Sequence, residues 1–208
     1  MTAPPALWLV RADTPVAPTT LDAGERRRAR AFAKDAVRNR YVAGHAALRR
    51  LLAARLGVPP RQVALTREPC PVCGGPHGRP TVAGGTPPYF SLAYSGGLCL
   101  IALADTPVGV DMERIPPSGV VSGLAADLHP VERAELAGLP EDERPPAFAR
   151  AWVRKEAYLK GLGTGLALGL SADYVGTGTA PAECPEGWTI ADVAVDSDRV
   201  AAIAVRHC

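Results

Sequence analysis

One segment, Phe148-Ala-Arg-Ala-Trp-Val-Arg-Lys-Glu-Ala-Tyr-Leu-Lys160, concentrates side chains able to handle protons and phosphates. It has no Gly or Pro and is rich in helix formers, so it reads as a helix. Residues three or four apart share a helical face, which stacks Trp152, Glu156 and Lys160 in one row with Lys155 beside it. Lys34, Lys155 and Lys160 are the only lysines in a chain that otherwise uses Arg. A compact ammonium suits proton and phosphate chemistry in ways the rigid guanidinium does not. The plainer alternative is an exposed Glu–Lys pair worth a few tenths of a kcal/mol.

A second constellation lies in Val108-Gly-Val-Asp-Met-Glu113, which reads as a strand. A period of two puts Asp111 and Glu113 on one face, roughly 6–7 Å apart, with Val110 and Met112 on the other. Two such carboxylates repel unless a cation joins them. A hard divalent ion such as Mg²⁺, bound by one or two carboxylates plus phosphate oxygens, is the chemistry they suit. A third group is Cys70-Pro-Val-Cys73 with His77 four residues on. A closed zinc site takes four ligands, and no second CxxC or His pair is near. The sequence alone favours a Gly/Pro-rich turn with incidental thiols.

The elements that position these groups follow from periodicity and breakers. Leu7 to Val10 reads as a strand, and Asp22 caps a helix running to Arg30 or Phe32. A helix spans about Lys34 to Leu56, with a stripe of Tyr41, Gly44 or His45, Leu48, Leu51, Leu52 and Leu56, closed by Gly57. Arg26, Arg27, Arg28, Arg30, Arg38, Arg40, Arg49 and Arg50 make this region basic: mostly solvated faces, with a few able to hold an anion. Val63 to Arg67 is a strand. Tyr89 to Tyr94 and Leu98 to Ala104 form a hairpin around Ser95-Gly-Gly97. Pro116 to Gly123 is a linker or loop. His129-Pro130 begins a helix to about Leu139. Pro145-Pro146 opens the central helix, which ends near Gly161 in a Gly-rich turn. Ile190 to Val195 and Val200 to Val205 make a last hairpin. Because GxGxG at Gly161 follows a helix, a dinucleotide-binding fingerprint is excluded.

The 208 residues suit one large domain or two small ones. The order argues for an α+β fold with two lobes of similar size, residues 1–105 and 106–208. A net charge of +2 argues against bulk nucleic-acid binding. No signal peptide or membrane span is read, and the odd count of five cysteines suits reduced thiols in a cytoplasm.

Gly109-Val-Asp111-Met-Glu113 followed by Trp152-Val-Arg-Lys155-Glu156-Ala-Tyr-Leu-Lys160 resembles the 4′-phosphopantetheinyl transferase superfamily, whose pattern is G-[IV]-D-x-E, then W-x-x-K-E-[AS]-x-x-K. Arg40 to Gly44, Gly78-Arg79-Pro80, Phe90 to Gly96 and His129 to Glu132 extend the likeness over most of the chain. Length and order look like the monomeric, surfactin-synthetase-activating type. The resemblance implies two lobes related by a pseudo-twofold, with coenzyme A between them. The implied reaction moves the 4′-phosphopantetheine arm to a serine of an apo acyl or peptidyl carrier protein and releases adenosine 3′,5′-bisphosphate, with neither nucleic acid nor membrane as partner. It implies Mg²⁺ on Asp111, Glu113 and Glu156, Glu156 as proton acceptor, and Lys160 as stabiliser of pyrophosphate charge. Lys155 would share that role or orient Glu156, and Trp152 would pack behind. Arg40, Arg79 and Arg28 would grip the phosphates, with Tyr94 and Ser95 at the adenosine end. The family usually has N-x-S-H-S where this chain has Ser91-Leu-Ala-Tyr94-Ser95. A neutral Tyr94 in place of His is expected to weaken the hold on the 3′-phosphate unless Arg79 and Arg40 compensate. Two other readings compete: a non-catalytic coenzyme A or carrier-protein binder, and a zinc-knuckle nucleic-acid module on Cys70, Cys73 and His77.

Overall fold

A computed structural model describes residues 3–13, 15–85 and 87–207, the side chain of residue 166 aside. In chain order the elements are β1 (Ala6–Arg11), α1 (Ala23–Arg30), α2 (Asp35–Leu56), β2 (Leu65–Arg67), β3 (Pro80–Val82), β4 (Tyr89–Ser95), β5 (Leu98–Ala104) and β6 (Val108–Arg114). Then come α3 (Ser118–Leu124), α4 (Pro130–Gly138), α5 (Arg144–Leu162), β7 (Trp188–Asp192) and β8 (Arg199–Arg206). The fold is mixed α and β. One antiparallel sheet has the order β1-β5-β4, a second has β6-β8-β7, and β2 with β3 forms a short ribbon. None of the helices is long and apolar enough to cross a membrane, among the described residues.

The layers follow from period-two alternation. In β5, Cys99, Ile101 and Leu103 face α2 and pack with Leu48, Leu52 and Phe90. The intervening Leu100, Ala102 and Ala104 join Val108, Val110, Met112, Ala201 and Ile203 in a core between the two sheets. The seam runs along β4 and β6, where the Val110 N–H donates to Ser91 Oγ at 3.1 Å. The far side of the second sheet meets α5 through Val153, Ala157, Trp188, Ile190, Ala202 and Ala204. Burying each leucine in such a core contributes about 1.5–3 kcal/mol.

Helix ends obey local chemistry. Asp22 accepts from the Glu25 N–H at 2.8 Å while the Glu25 carboxylate accepts from the Asp22 N–H at 3.0 Å, a reciprocal cap on α1. Gly57 and Gly163 close α2 and α5 with φ of 69° and 83°, a region that favours glycine.

Three expectations are corrected. The segment Pro116 to Gly123 is not a linker: Ser118–Leu124 forms α3, and Val121 is buried with Leu128, Leu136 and Phe148. Tertiary packing of one valine overrides poor helix formers. The Gly-rich turn begins later, because Gly161 and Leu162 are still helical. Arg49 is no solvated face residue; it is wholly buried in α2.

Candidate active site

The site begins with a helix lying unusually close to a strand. A Cβ on Gly109 of β6 would sit 1.9 Å from the Ala157 carbonyl oxygen of α5, so only glycine fits there. Gly161 is as constrained on its other side, since a Cβ would fall 2.6 Å from the Trp188 ring. These contacts bring the row Glu156–Lys160 against the acidic face of β6.

Lys160 Nζ donates to one oxygen of Asp111 at 2.6 Å. Asp111 is buried, and its other oxygen has no hydrogen-bond partner among the described residues. Glu113 follows at the open end of the same face. Its carboxyl is pushed up by the protein packed around it, then by Asp111 and Glu156, against the pull of Lys160 and Arg40. Glu156 is pushed up by burial and by Asp111, again opposed by Lys160. Three carboxyls facing one ammonium leave an excess of negative charge. An orphaned buried oxygen and two carboxyls held above their usual range form an all-oxygen donor set that fits a hard divalent cation. The ligand atoms of the trio do not all lie within 4.8 Å of one another; Lys160 instead holds the place beside Asp111.

Lys155 does not join this group. It lies around the helix from Glu156, is buried, and pairs with Glu132 at 2.9 Å while donating to the Asp173 carbonyl. Burial lowers its pKa, opposed by Glu132. Glu132, wholly buried, also accepts from the His129 N–H at 3.1 Å and the Val175 N–H at 2.9 Å. Lys155 therefore ties α5 to α4 and the 170s loop. Neighbours in sequence lie 100° apart on a helix, so the expectation that Lys155 would neutralise phosphate or orient Glu156 gives way to this packing role. Trp152 packs on Phe148 at 5.5 Å between ring centroids.

Beside the acidic group opens a cleft of about 660 Å³. Its basic lining includes Arg28, His45, Arg67, His77, Arg79 and Lys160. Phe90 and Leu92 supply apolar wall. Arg79 spans the cleft: it donates to the Gly161 carbonyl at 2.6 Å and to Glu68 at 2.6 Å, and its cation lies 5.0 Å over the Tyr89 ring. Its Nε is buried without a partner among the described residues. Arg28 lies 5.9 Å over the Tyr41 ring. The basic cleft and the acidic group meet at Lys160.

Arg40, Tyr94 and Ser95 are outside the cleft lining. Arg40 donates to the Gly96 carbonyl at 3.2 Å, at the hairpin tip, and is close enough to Glu113 to pull its pKa down. It lies nearer the acidic group than the sequence suggested. Ser95 is buried. The Tyr94 ring packs toward α2, where a Cβ on Gly44 would fall 2.2 Å from its hydroxyl. That hydroxyl is buried with no partner among the described residues beyond the weakly interacting Cys99 thiol, and burial first, then Cys99, pushes its pKa far up. Tyr94 is thus a partly buried side chain packed against the α2 core, with its hydroxyl turned into the space left by Gly44.

Sequence reasoning missed the buried ion cluster behind the cleft wall of Asp22, Glu25 and His45. Arg49 pairs with Glu25 and Asp22 and donates to the carbonyls of Pro60 at 2.8 Å and Val63 at 3.0 Å. His45 Nδ1 lies 2.8 Å from Glu25. Burial raises the Glu25 pKa, but hydrogen bonds from His45, the Asp22 N–H and Arg49 together bring it below the ordinary value. Periodicity treats position 49 as one more exposed arginine. The available signal was the reciprocal cap at Asp22 and Glu25, which fixes two carboxylates near α2.

Comparison with known proteins gives a consistent picture. Residues 107–186 match the 4′-phosphopantetheinyl transferase superfamily. The 4′-phosphopantetheinyl transferase HetI of Nostoc sp. is 32% identical over 96% of this chain and 86% of its own. AcpT of Escherichia coli K12, also named a 4′-phosphopantetheinyl transferase, is 32% identical over 69% of this chain and 63% of its own. A Bacillus subtilis protein of the same name is 27% identical over 53% of this chain and 50% of its own.

Proposed function

The chain belongs to the 4′-phosphopantetheinyl transferase superfamily and is an enzyme of that kind, and from that premise we propose that it moves the phosphopantetheine arm of coenzyme A onto a serine of an apo acyl or peptidyl carrier protein. The observation that carries the residue assignment is the meeting of a basic cleft with a carboxylate group at Lys160. Phosphoryl transfer is mainly positioning and charge neutralisation, and the cleft supplies both.

In this reading Arg79 and Arg28 hold coenzyme phosphates along the cleft, and Arg40 holds charge beside Glu113. Asp111, Glu113 and Glu156 would hold a Mg²⁺, which would supply positive charge to offset that of the pyrophosphate. Glu156, with its carboxyl above the usual range, accepts the serine proton directly or through a water. The serine oxygen forms a bond to the phosphorus that carries the pantetheine. The bond from that phosphorus to the bridging pyrophosphate oxygen breaks, and adenosine 3′,5′-bisphosphate leaves. Lys160 stabilises the charge that builds on the pyrophosphate.

We further read the two sheets as the cores of two lobes, residues 1–105 and 106–208, related by a pseudo-twofold, with the chain acting as a monomer of the surfactin-synthetase-activating type. Cys70, Cys73, Cys99 and Cys184 are free, which suits a reducing cytoplasm.

The test is intact-mass spectrometry of an apo carrier protein incubated with the enzyme, coenzyme A and Mg²⁺. A gain of one phosphopantetheine arm, absent with chelator and with Glu156→Gln, supports the reading. An unchanged gain with Glu156→Gln would remove Glu156 from its role.

A further inference from the structure

At one wall of the proposed active site, the ribbon β2–β3 is too slight for what it carries. Each strand has three residues, joined by residues 68–79. Short two-stranded ribbons are marginal on their own, and a long loop needs its own fastening. Yet both ends of this loop supply arginines to the cleft, Arg67 and Arg79.

The loop is folded tightly on itself. The Gly74 N–H donates to the Cys70 carbonyl at 2.8 Å, and the Cys70 N–H to the Gly75 carbonyl at 2.8 Å. Gly74 takes a φ of 71°. A Cβ on Gly78 would fall 2.4 Å from the Glu68 carbonyl oxygen. A Cβ on Gly75 would fall 3.0 Å from the His77 ring and 3.3 Å from the Cys73 sulfur. These turns converge three soft ligands. Cys73 Sγ lies 3.0 Å from His77 Nε2, and the ligand atoms of Cys70, Cys73 and His77 all lie within 4.8 Å of one another. No other trio of His, Cys, Asp or Glu among the described residues meets that spacing.

We propose that Cys70, Cys73 and His77 bind a zinc ion that fastens the loop between β2 and β3 and so positions Arg67 and Arg79 at the cleft. Two thiolates and an imidazole select zinc over the hard cations that carboxylates prefer. With bond lengths of about 2.0–2.3 Å, tetrahedral zinc holds its ligand atoms roughly 3.3–3.8 Å apart, so small side-chain rotations seat it. Cys73 and His77 are exposed, which leaves the fourth corner to water. Sequence alone favoured incidental thiols because it counted ligands; the convergence of three is what geometry adds.

The experiment measures metal content of the full chain purified without chelator, by plasma mass spectrometry. It then titrates cobalt(II) into zinc-stripped, reduced protein. The expected result is close to one zinc per chain and a thiolate-to-cobalt charge-transfer band. Both should be lost in Cys73→Ser and in His77→Ala, whose exposed side chains can change with little effect on far-ultraviolet circular dichroism. Zinc-free protein with no cobalt band would overturn the proposal, as would a Cys70–Cys73 disulfide under reducing purification. So would zinc retained by a Cys73→Ser, His77→Ala double variant. A fold lost in Cys73→Ser leaves the decision to the wild-type zinc count. The metal count does not depend on the coenzyme reading. Zinc removal should also weaken coenzyme A binding by calorimetry, and that second readout does depend on it.

Discussion

Lys160 and Asp111 touch at 2.6 Å across the junction of α5 and β6, while the second Asp111 oxygen, buried, meets no donor among the described residues. The pair is half of a site: a cation is already present, and acceptor capacity remains for another. Replacing Lys160 by Met should cut transfer to the carrier by about 10²–10³, the range for losing a donor aimed at developing charge. Coenzyme A binding should change far less. Steady-state kinetics beside calorimetry checks this, and a loss confined to KM would move Lys160 from charge stabilisation to ground-state binding.

The raised carboxyls of Glu113 and Glu156 set a pH signature. A carboxyl whose pKa is higher folded than unfolded binds more protons in the native state. Stability therefore falls as pH rises from the ordinary glutamate range through the raised values. Mg²⁺ favours the ionised forms. Its stabilisation, read as a Tm shift, should be larger near neutrality than just above the ordinary glutamate range. An equal shift at both would remove these residues as ligands. The acid limb of the rate profile should likewise lie above an ordinary glutamate pKa.

Lys155→Met should destabilise rather than disarm. It strands a wholly buried Glu132 carboxylate, a loss of about 3–5 kcal/mol for a broken buried pair. Urea denaturation measures it. Pairing the change with Glu132→Gln should recover part of the loss, because the stranded charge disappears. A fall in kcat with unchanged stability would restore Lys155 to the chemistry.

Tyr94→Phe removes a buried hydroxyl that has no partner among the described residues beyond the weak Cys99 thiol. Stability should hold or rise by about 1 kcal/mol, with coenzyme A affinity unchanged. Gly44→Ala crowds the same spot and should cost about 1–3 kcal/mol. A large affinity loss in Tyr94→Phe would show that the hydroxyl reaches the ligand after all.

Arg79→Lys should raise the KM for coenzyme A. One ammonium cannot reach both the Gly161 carbonyl and Glu68 while stacking on Tyr89. The KM-against-kcat split decides, since a pure kcat effect would place Arg79 at the reacting centre.

Much of this was legible in the chain. Alternation around Asp111 and Glu113 placed both acids on one face, and i,i+4 spacing put Glu156 and Lys160 in one row; those rules depend only on local geometry. What escaped was set by distant packing. Nothing local says that Lys155 turns toward Glu132 or that Arg49 is buried against Glu25. Nor does anything local say that the Tyr94 ring fills a gap left by Gly44. Each choice depends on a partner from another element. The short helix Ser118–Leu124 escaped for the same reason, being held by the burial of Val121.

Gly109 has a consequence for how this molecule can vary. With the Ala157 carbonyl 1.9 Å from where a side chain would begin, the thickness of the helix–strand contact is a fixed dimension. A methyl group there would act as a shim. It would tilt α5 as a stiff rod and swing Glu156 and Lys160 away from Asp111 together, spoiling proton acceptor and charge partner in one step. Tolerance at the reacting end is thus governed by a residue that touches no reactant and carries no functional group.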